Sequence, residues 1–449
     1  MAAYSEKYRW LRIKHKFGPW LNDDEIEMVK TIRDYMQEKV KPRVWELEAA
    51  HYRDWDSAWD AAEVFASDLV KMGLQRSGAP VEYGGLALSM PCRLAITEEM
   101  CRVDLAFTMQ TGKAGWMTGP IFASKNEYLK KLVAEKVCGD DFYVAACCFT
   151  EPQGGVSIED ITQHCRTENM TALPDGDDVV IDGQKVFPGP SGPPEIFQRK
   201  LLKGHMGYTV VCNTESDEKK RGWDSIGLFY VPPDAKGLSF SEPYEVMGTT
   251  MDRNCHIYFD NVRIPKENRI GGPGLDAALY YSTILGASRL VEAARITGAA
   301  AGLFDKVLDY LAVREIEGRP IREYSLWAAI IGEMAQKIYA SRAAYFYAAH
   351  TVADPETYGY LWDQDGPHGI CSAMRDVAGR TFRWIANKAM DVFGGYGFCC
   401  ETGVEKYIRD TELLIIGPGG PQRDKLDTAL LFFPRTWAGK APEFQRWRP

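Results

Sequence analysis

The sequence predicts an α+β chain in three parts: an N-terminal helical domain over residues 1–143, a middle β-barrel or sandwich domain over 144–265, and a C-terminal helical bundle over 266–449. Three observations predict it. Apolar residues recur every three or four positions as far as Gly139; short apolar or alternating runs separated by turn residues follow Asp141; long helical periodicity returns from Gly274.

In the first part, "DDEIEMVKTIRDYMQEKVKPRVWELEAAH" places Ile26, Val29, Ile32, Met36 and Val40 on one helical face, and Pro42 and "SGAPVEYGG" punctuate it. In the second, "FYVAACCF", "DVVIDGQKVF", "GYTVVCNT", "SIGLFYVPP" and "CHIYFDNVRIP" read as strands. In the third, Leu326, Ile330, Met334 and Ile338 mark an apolar stripe, and "RTFRWIANKAMDVFGGYGF" is a helix broken by Gly394, Gly395 and Gly397. "ADPETYGYLWDQDGPHG" reads as a long loop.

At 449 residues the chain can bury a large core without metal or disulfide staples. Against 62 acidic residues stand 53 basic ones, a net charge of −9 that argues against nucleic-acid or membrane-surface partners. The 11 cysteines form no C-x-x-C pair, so a metal site is not expected and a reducing, cytoplasmic location is. The basic start "MAAYSEKYRWLRIKHKFGPW" lacks the apolar stretch of a signal peptide and reads as a docking extension.

The order helices, strands, helices, with "CFTEPQGG" opening the strands, resembles the acyl-CoA dehydrogenase family over nearly the whole chain. "LAITEEMCRVD" is similar to its third-helix signature, "FTEPQGG" to its flavin-contact turn and "VIDGQKVF" to its flavin-facing strand. "IYFDNVRIPKENRIG" matches the exit from the β-domain, and "SRLVEAARITGAAAG", "FGGYGF" and "VEKYIRD" the C-terminal helices.

The resemblance implies FAD between the β-domain and the C-terminal helices, with a neighbouring subunit supplying part of the adenosine pocket. It implies an acyl-CoA substrate that loses a proton next to the thioester carbonyl and a hydride from the next carbon, and an electron-transferring flavoprotein as redox partner. Thr150, Phe187, Arg314, Gly394, Gly395 and Gln422 stand at matching cofactor positions. Gly189, by contrast, replaces a hydroxyl residue, Ile316 and Glu317 replace Thr and Phe, Asp391 replaces Gln, and Val156-Ser157 stand where Ser-Asp is common.

Aligned on Arg409-Asp410, "IIGPGGPQ" puts Pro418 where the family carries its catalytic Glu, removing both a carboxylate and a backbone donor. A second family position for that Glu is Ser288 here, before Arg289. Four residues on, Glu292 occupies a normally apolar, pocket-lining site, and i and i+4 share a helix face. Glu292 is therefore the candidate base, with an ion pair to Arg289 or Arg295 as its bland alternative, and Asp104 is the second candidate; Glu98 and Glu99 read as structural partners. The substrate is expected to meet Ser157, Ser288, Arg289, Gly417 and Gly419.

A relocated base points to a cyclic, aryl-bearing or dicarboxylic acyl group. Two alternatives share the scaffold: a non-catalytic subunit of a heteromeric α2β2 assembly, and a redox-neutral acyl-CoA lyase. For the catalytic reading the resemblance implies a homotetramer packed through the C-terminal helices.

Overall fold

A computed structural model describes residues 8–154, 168–363, 366–417 and 419–432. Helix α1 (Asp23–Tyr35) begins where Asn22 accepts from the Glu25 N–H at 2.9 Å and the Asn22 N–H donates to the Glu25 carboxylate at 3.1 Å, a reciprocal cap. Its stripe of Ile26, Val29 and Ile32, continued by Met36 and Val40, is buried throughout. Helices α2 (Trp55–Lys71), α3 (Met90–Cys101), α4 (Leu105–Ala123) and α5 (Glu127–Val137) complete the first layer.

Seven strands follow: β1 (Phe142–Cys148), β2 (Thr171–Asp175), β3 (Asp178–Lys185), β4 (Leu202–Asn213), β5 (Ile226–Val231), β6 (Leu238–Phe240) and β7 (Ile257–Pro265). They make one mixed sheet of order β1-β4-β2-β3-β7-β6, with β5 also on β4. Strand β4 runs parallel to β1 and antiparallel to β5 and is buried along nearly its whole length. Strand β7 has buried and exposed residues interleaved, so one of its faces meets solvent. Periodicity missed β2 and β6, which are short and carry few apolar residues.

The C-terminal bundle is built on α6 (Ala287–Val313), which packs against α3, α7 (Ser325–Ala353) and α8 (His368–Phe393). Helices α9 (Val404–Ile416) and α10 (Gly420–Ala429) close it. The stripe predicted along α7 is buried at Met334 and Ile338, Ile330 is half-buried against the core, and Leu326 is 64% exposed. Before α1, Trp10 donates to Asp305 at 3.0 Å and Trp20 stacks on Phe346 at 4.5 Å, which docks the N-terminal segment on the bundle.

Buried charge ties α3 to α7. Glu98 accepts from Arg342 Nη2 at 2.5 Å and from the Tyr345 hydroxyl at 2.6 Å, all three side chains being inaccessible, while Glu99 holds Lys16. Removing one partner of such a pair strands the other in a medium that cannot solvate it. Glu98→Ala is therefore expected to lower unfolding stability by about 3–5 kcal/mol in a denaturant titration. The exposed control Glu333→Ala should stay within about 0.5 kcal/mol of the parent.

Candidate active site

The Gly-Pro-Gly-Gly run lies between α9 and α10. The Gly417 N–H donates to Leu413 O at 2.9 Å as the C-terminal cap of α9, so it is not the free donor expected for a thioester oxygen. Gly419 (φ +81°) and Gly420 (φ +65°) turn the chain through the left-handed region into α10, a conformation that strains other residues. Pro418 and Ser157 lie outside the described residues.

Beneath the loop, α6, α8 and α10 share a buried ion network. Arg375 Nη1 of α8 lies 2.9 Å from Glu292 Oε2 of α6, and its Nε and Nη2 each lie 2.9 Å from the Asp424 carboxylate of α10. Arg289 reaches Asp424 at 3.6 Å and Asp427 at 3.1 Å; Asp427 also accepts from Arg423 and from Ser372 and faces His368. The ion pair of Glu292 thus goes to Arg375 on another helix, not to Arg289 or Arg295. A cavity of about 380 Å³ between α8, α9 and α10 exposes the outer side of this network, with Arg375, Ile415, Gln422 and Asp424 in its wall.

Burial raises the Glu292 carboxyl, and the guanidinium groups of Arg375, Arg289 and Arg295 pull it back only to about 7. Asp424, under the same opposing influences, is pushed up to about 6. Asp427 is buried too, but Arg289, His368 and Arg423 hold it well below the usual carboxylate range. Glu292 is thereby a carboxylate that changes charge near neutral pH, the condition for proton transfer from a weak carbon acid.

Three expectations are corrected. Asp104, the second candidate base, caps α4: its Oδ1 accepts from the Phe107 N–H at 2.8 Å and its Oδ2 lies 3.0 Å from Lys406, in a cluster with Glu48 and Asp410. The Ser288 hydroxyl is spent on Leu285 O at 2.8 Å. Arg289, expected at the substrate, is fully buried and committed to two aspartates.

The cofactor positions fall into separate groups. Thr150 and Phe187 come together because the Val186 N–H donates to Thr150 O at 2.8 Å. The turn is anchored by Glu151, which accepts from the Asn169 and Met170 N–H groups and meets Lys185 at 3.0 Å; burial opposes its charge, yet Lys185 and those donors hold it down to about 2. The Phe187 ring, at φ +62° and 63% exposed, stands free beside Tyr244, as a ring meant to meet a planar ligand would. Arg314 ends α6 and Gly394 ends α8, and the two helices meet near these ends where Tyr310 stacks on Phe393 at 4.2 Å. There, side chains built at Gly394 and Gly395 would touch nothing, and Arg314 is exposed. Gln422 sits beside Arg375, roughly 28 Å of helix away at about 1.5 Å per residue. An open aromatic face, an uncrowded glycine turn and an exposed cation fit a flavin dinucleotide.

The glycine at 189 has a local cause. A Cβ there would lie 2.3 Å from Asp252 Oδ1 and 2.5 Å from Asn254 Oδ1. Asp252 pairs with the buried Lys113 of α4, which also donates to Gly189 O, and accepts from Gln110 at 2.8 Å. The hydroxyl usual at this position is replaced by a buried ion pair under the backbone. Sequence reading missed Lys113, Asp252, Arg375 and Asp424. For Arg375 a signal was present: it lies in line with Cys371, Ala378 and Phe382 on an otherwise apolar helix face.

Comparison with known proteins accords with this arrangement. The acyl-CoA dehydrogenase N-terminal domain matches residues 22–139, the middle domain 146–262 and the C-terminal domain 276–425. The cyclohex-1-ene-1-carbonyl-CoA dehydrogenase of Geobacter metallireducens is 27% identical over 417 residues, 92% of this chain and 99% of that protein. The cyclohexane-1-carbonyl-CoA dehydrogenase of the same organism is 27% identical over 406 residues, 90% and 96% of the two chains. The solved butyryl-CoA dehydrogenase of Megasphaera elsdenii shares the fold with a TM-score of 0.76 and 20% identity, over 91% of this chain and 98% of that one. With all three domains matched in order, the chain belongs to the acyl-CoA dehydrogenase family, and it is a flavin oxidoreductase with FAD as its cofactor.

Proposed function

We propose that this chain catalyses the α,β-desaturation of an acyl-CoA thioester with Glu292 as the base, acting on a cyclic, aryl-bearing or dicarboxylic acyl group. The observation that carries the reading is a buried carboxylate on α6, poised at about 7, in a chain whose usual base position holds proline. FAD supplies the hydride acceptor. The chain's residues do the rest. Glu292 takes the α-proton, and Arg375 fixes the orientation of its carboxyl, keeping one oxygen hydrogen-bonded while the other receives the proton. Backbone N–H groups at the start of α10, to which Pro421 contributes none, are the proposed donors to the developing negative charge on the thioester oxygen. The small residues Gly417 and Gly420 leave room for a ring or branch, and the two cyclic-acyl relatives support a bulky substituent.

Assembly follows the same reading. Val313 (78% exposed), Leu326 and Phe398 (85%) leave apolar surface at the Arg314–Gly394 end and on α7 that a second copy would cover, which supports a homotetramer. An electron-transferring flavoprotein is the proposed electron acceptor. Light scattering of the purified protein at micromolar concentration should give the mass of four chains; a monomer that retains FAD contradicts a shared cofactor site.

The base is tested by anaerobic flavin bleaching with cyclohexanecarbonyl-CoA, wild type against Glu292→Gln. Bleaching should slow by ~10²–10⁴-fold while the yellow cofactor stays bound. A rate within about threefold of wild type removes Glu292 from the chemistry. Loss of FAD would make it a purely structural partner of Arg375. A protein purified colourless that yellows only with a second subunit would instead mark the non-catalytic subunit, and turnover without any electron acceptor the lyase.

A further inference from the structure

Among the described residues, one of the two arginines of α6 makes no ion pair. The buried guanidinium groups of Arg289, Arg342, Arg375 and Arg423 each meet at least one carboxylate. Arg295 is the exception: among the described residues it makes no ion pair, and its Nε is buried without a hydrogen-bond partner. Leaving a guanidinium so placed is costly unless something supplies an anion. Its natural partner would be Glu292, one turn earlier on α6, but Arg375 has taken that carboxylate at 2.9 Å.

The position of Arg295 says what reaches it. Its guanidinium lies across from α4, where a Cβ built on Gly112 would come within 3.1 Å of Nη2. One turn along, Gly115 faces open space. The neighbouring Lys113 is already neutralised by Asp252, so the unanswered positive charge in this corner belongs to Arg295. It stays partly exposed, and its charge acts on both Glu292 and Lys113. Glu292 and Arg295 stand three residues apart on α6, about one helical turn, so an acyl chain whose reacting carbons met Glu292 would bring its far end near Arg295.

We propose that Arg295 is a specificity residue that receives an anionic group carried by the acyl chain, so that the preferred thioester is one of a dicarboxylic acid. This rests on the assignment of the acyl site to the Glu292 face and narrows the substrate class within it. A planar guanidinium suits a carboxylate because it donates two parallel hydrogen bonds.

Binding rather than turnover separates this inference from the identity of the base. Calorimetry on the FAD-loaded protein compares succinyl-, glutaryl- and adipyl-CoA with butanoyl-, pentanoyl- and hexanoyl-CoA, in wild type, Arg295→Gln, Arg295→Lys and Glu292→Gln. At least one carboxylated thioester should bind about thirtyfold or more tighter than its neutral counterpart of equal length. Arg295→Gln should abolish that preference, Arg295→Lys keep part of it, and Glu292→Gln keep it whether or not bleaching is lost. If Arg295→Gln fails to fold, the wild-type ratio and the lysine variant still decide. Equal binding of charged and neutral thioesters across the series, or a preference unchanged by Arg295→Gln, overturns the proposal; a preserved preference with normal bleaching in Glu292→Gln overturns the base instead.

Discussion

The C-terminal bundle depends on the ion network that joins Glu292, Arg375, Asp424, Arg289 and Asp427 across three helices. Two fully buried arginines sit where a bundle would ordinarily put leucine, and each is bearable only because carboxylates from neighbouring helices meet it. That requirement fixes the mutual register of α6, α8 and α10. Through Asp424 and Asp427 it also ties α10 to α6 and α8. Stability and chemistry use the same charges here: the guanidinium groups that make Glu292 tolerable in the core also keep its proton affinity near neutrality rather than far above it.

On the proposed reading the proline between α9 and α10 and the carboxylate on α6 belong to one rearrangement: residues 415–422 carry no acid, and the buried carboxylate of Glu292 stands on α6 with Arg375 beside it. At the β-domain the space beside Gly189 is taken by Asp252, itself held by Lys113.

The helices and strands were legible because their apolar residues keep strict periods. Ile26, Val29 and Ile32 face the core, and the run "GYTVVCN" lies in the buried strand β4. Period alone did not reveal that Leu326, on the predicted stripe of α7, is exposed. Nor did it reveal the parallel β1–β4 pairing, a property of connection rather than of either strand. In the site, Glu292 was legible as an acid at an apolar position. Its partner was not, because choosing among Arg289, Arg295 and Arg375 requires knowing which helix lies alongside. Asp104 misled for a related reason: a cap and a base are the same residue type, and only its bonds to Phe107 and Lys406 tell them apart.

The most direct test of the link between this network and catalysis is the pH dependence of flavin reduction by a bound thioester, followed anaerobically from about pH 5 to 9, in wild type and in Arg375→Gln. A base must be ionised to accept the proton, so the rate should rise with pH and level off above an apparent pKa of about 7. Arg375 favours the ionised form, so its removal should carry that midpoint upward. A rate indifferent to pH across this range, or a midpoint that stays in place when Arg375 is gone, would contradict the assignment of the proton-accepting step to Glu292.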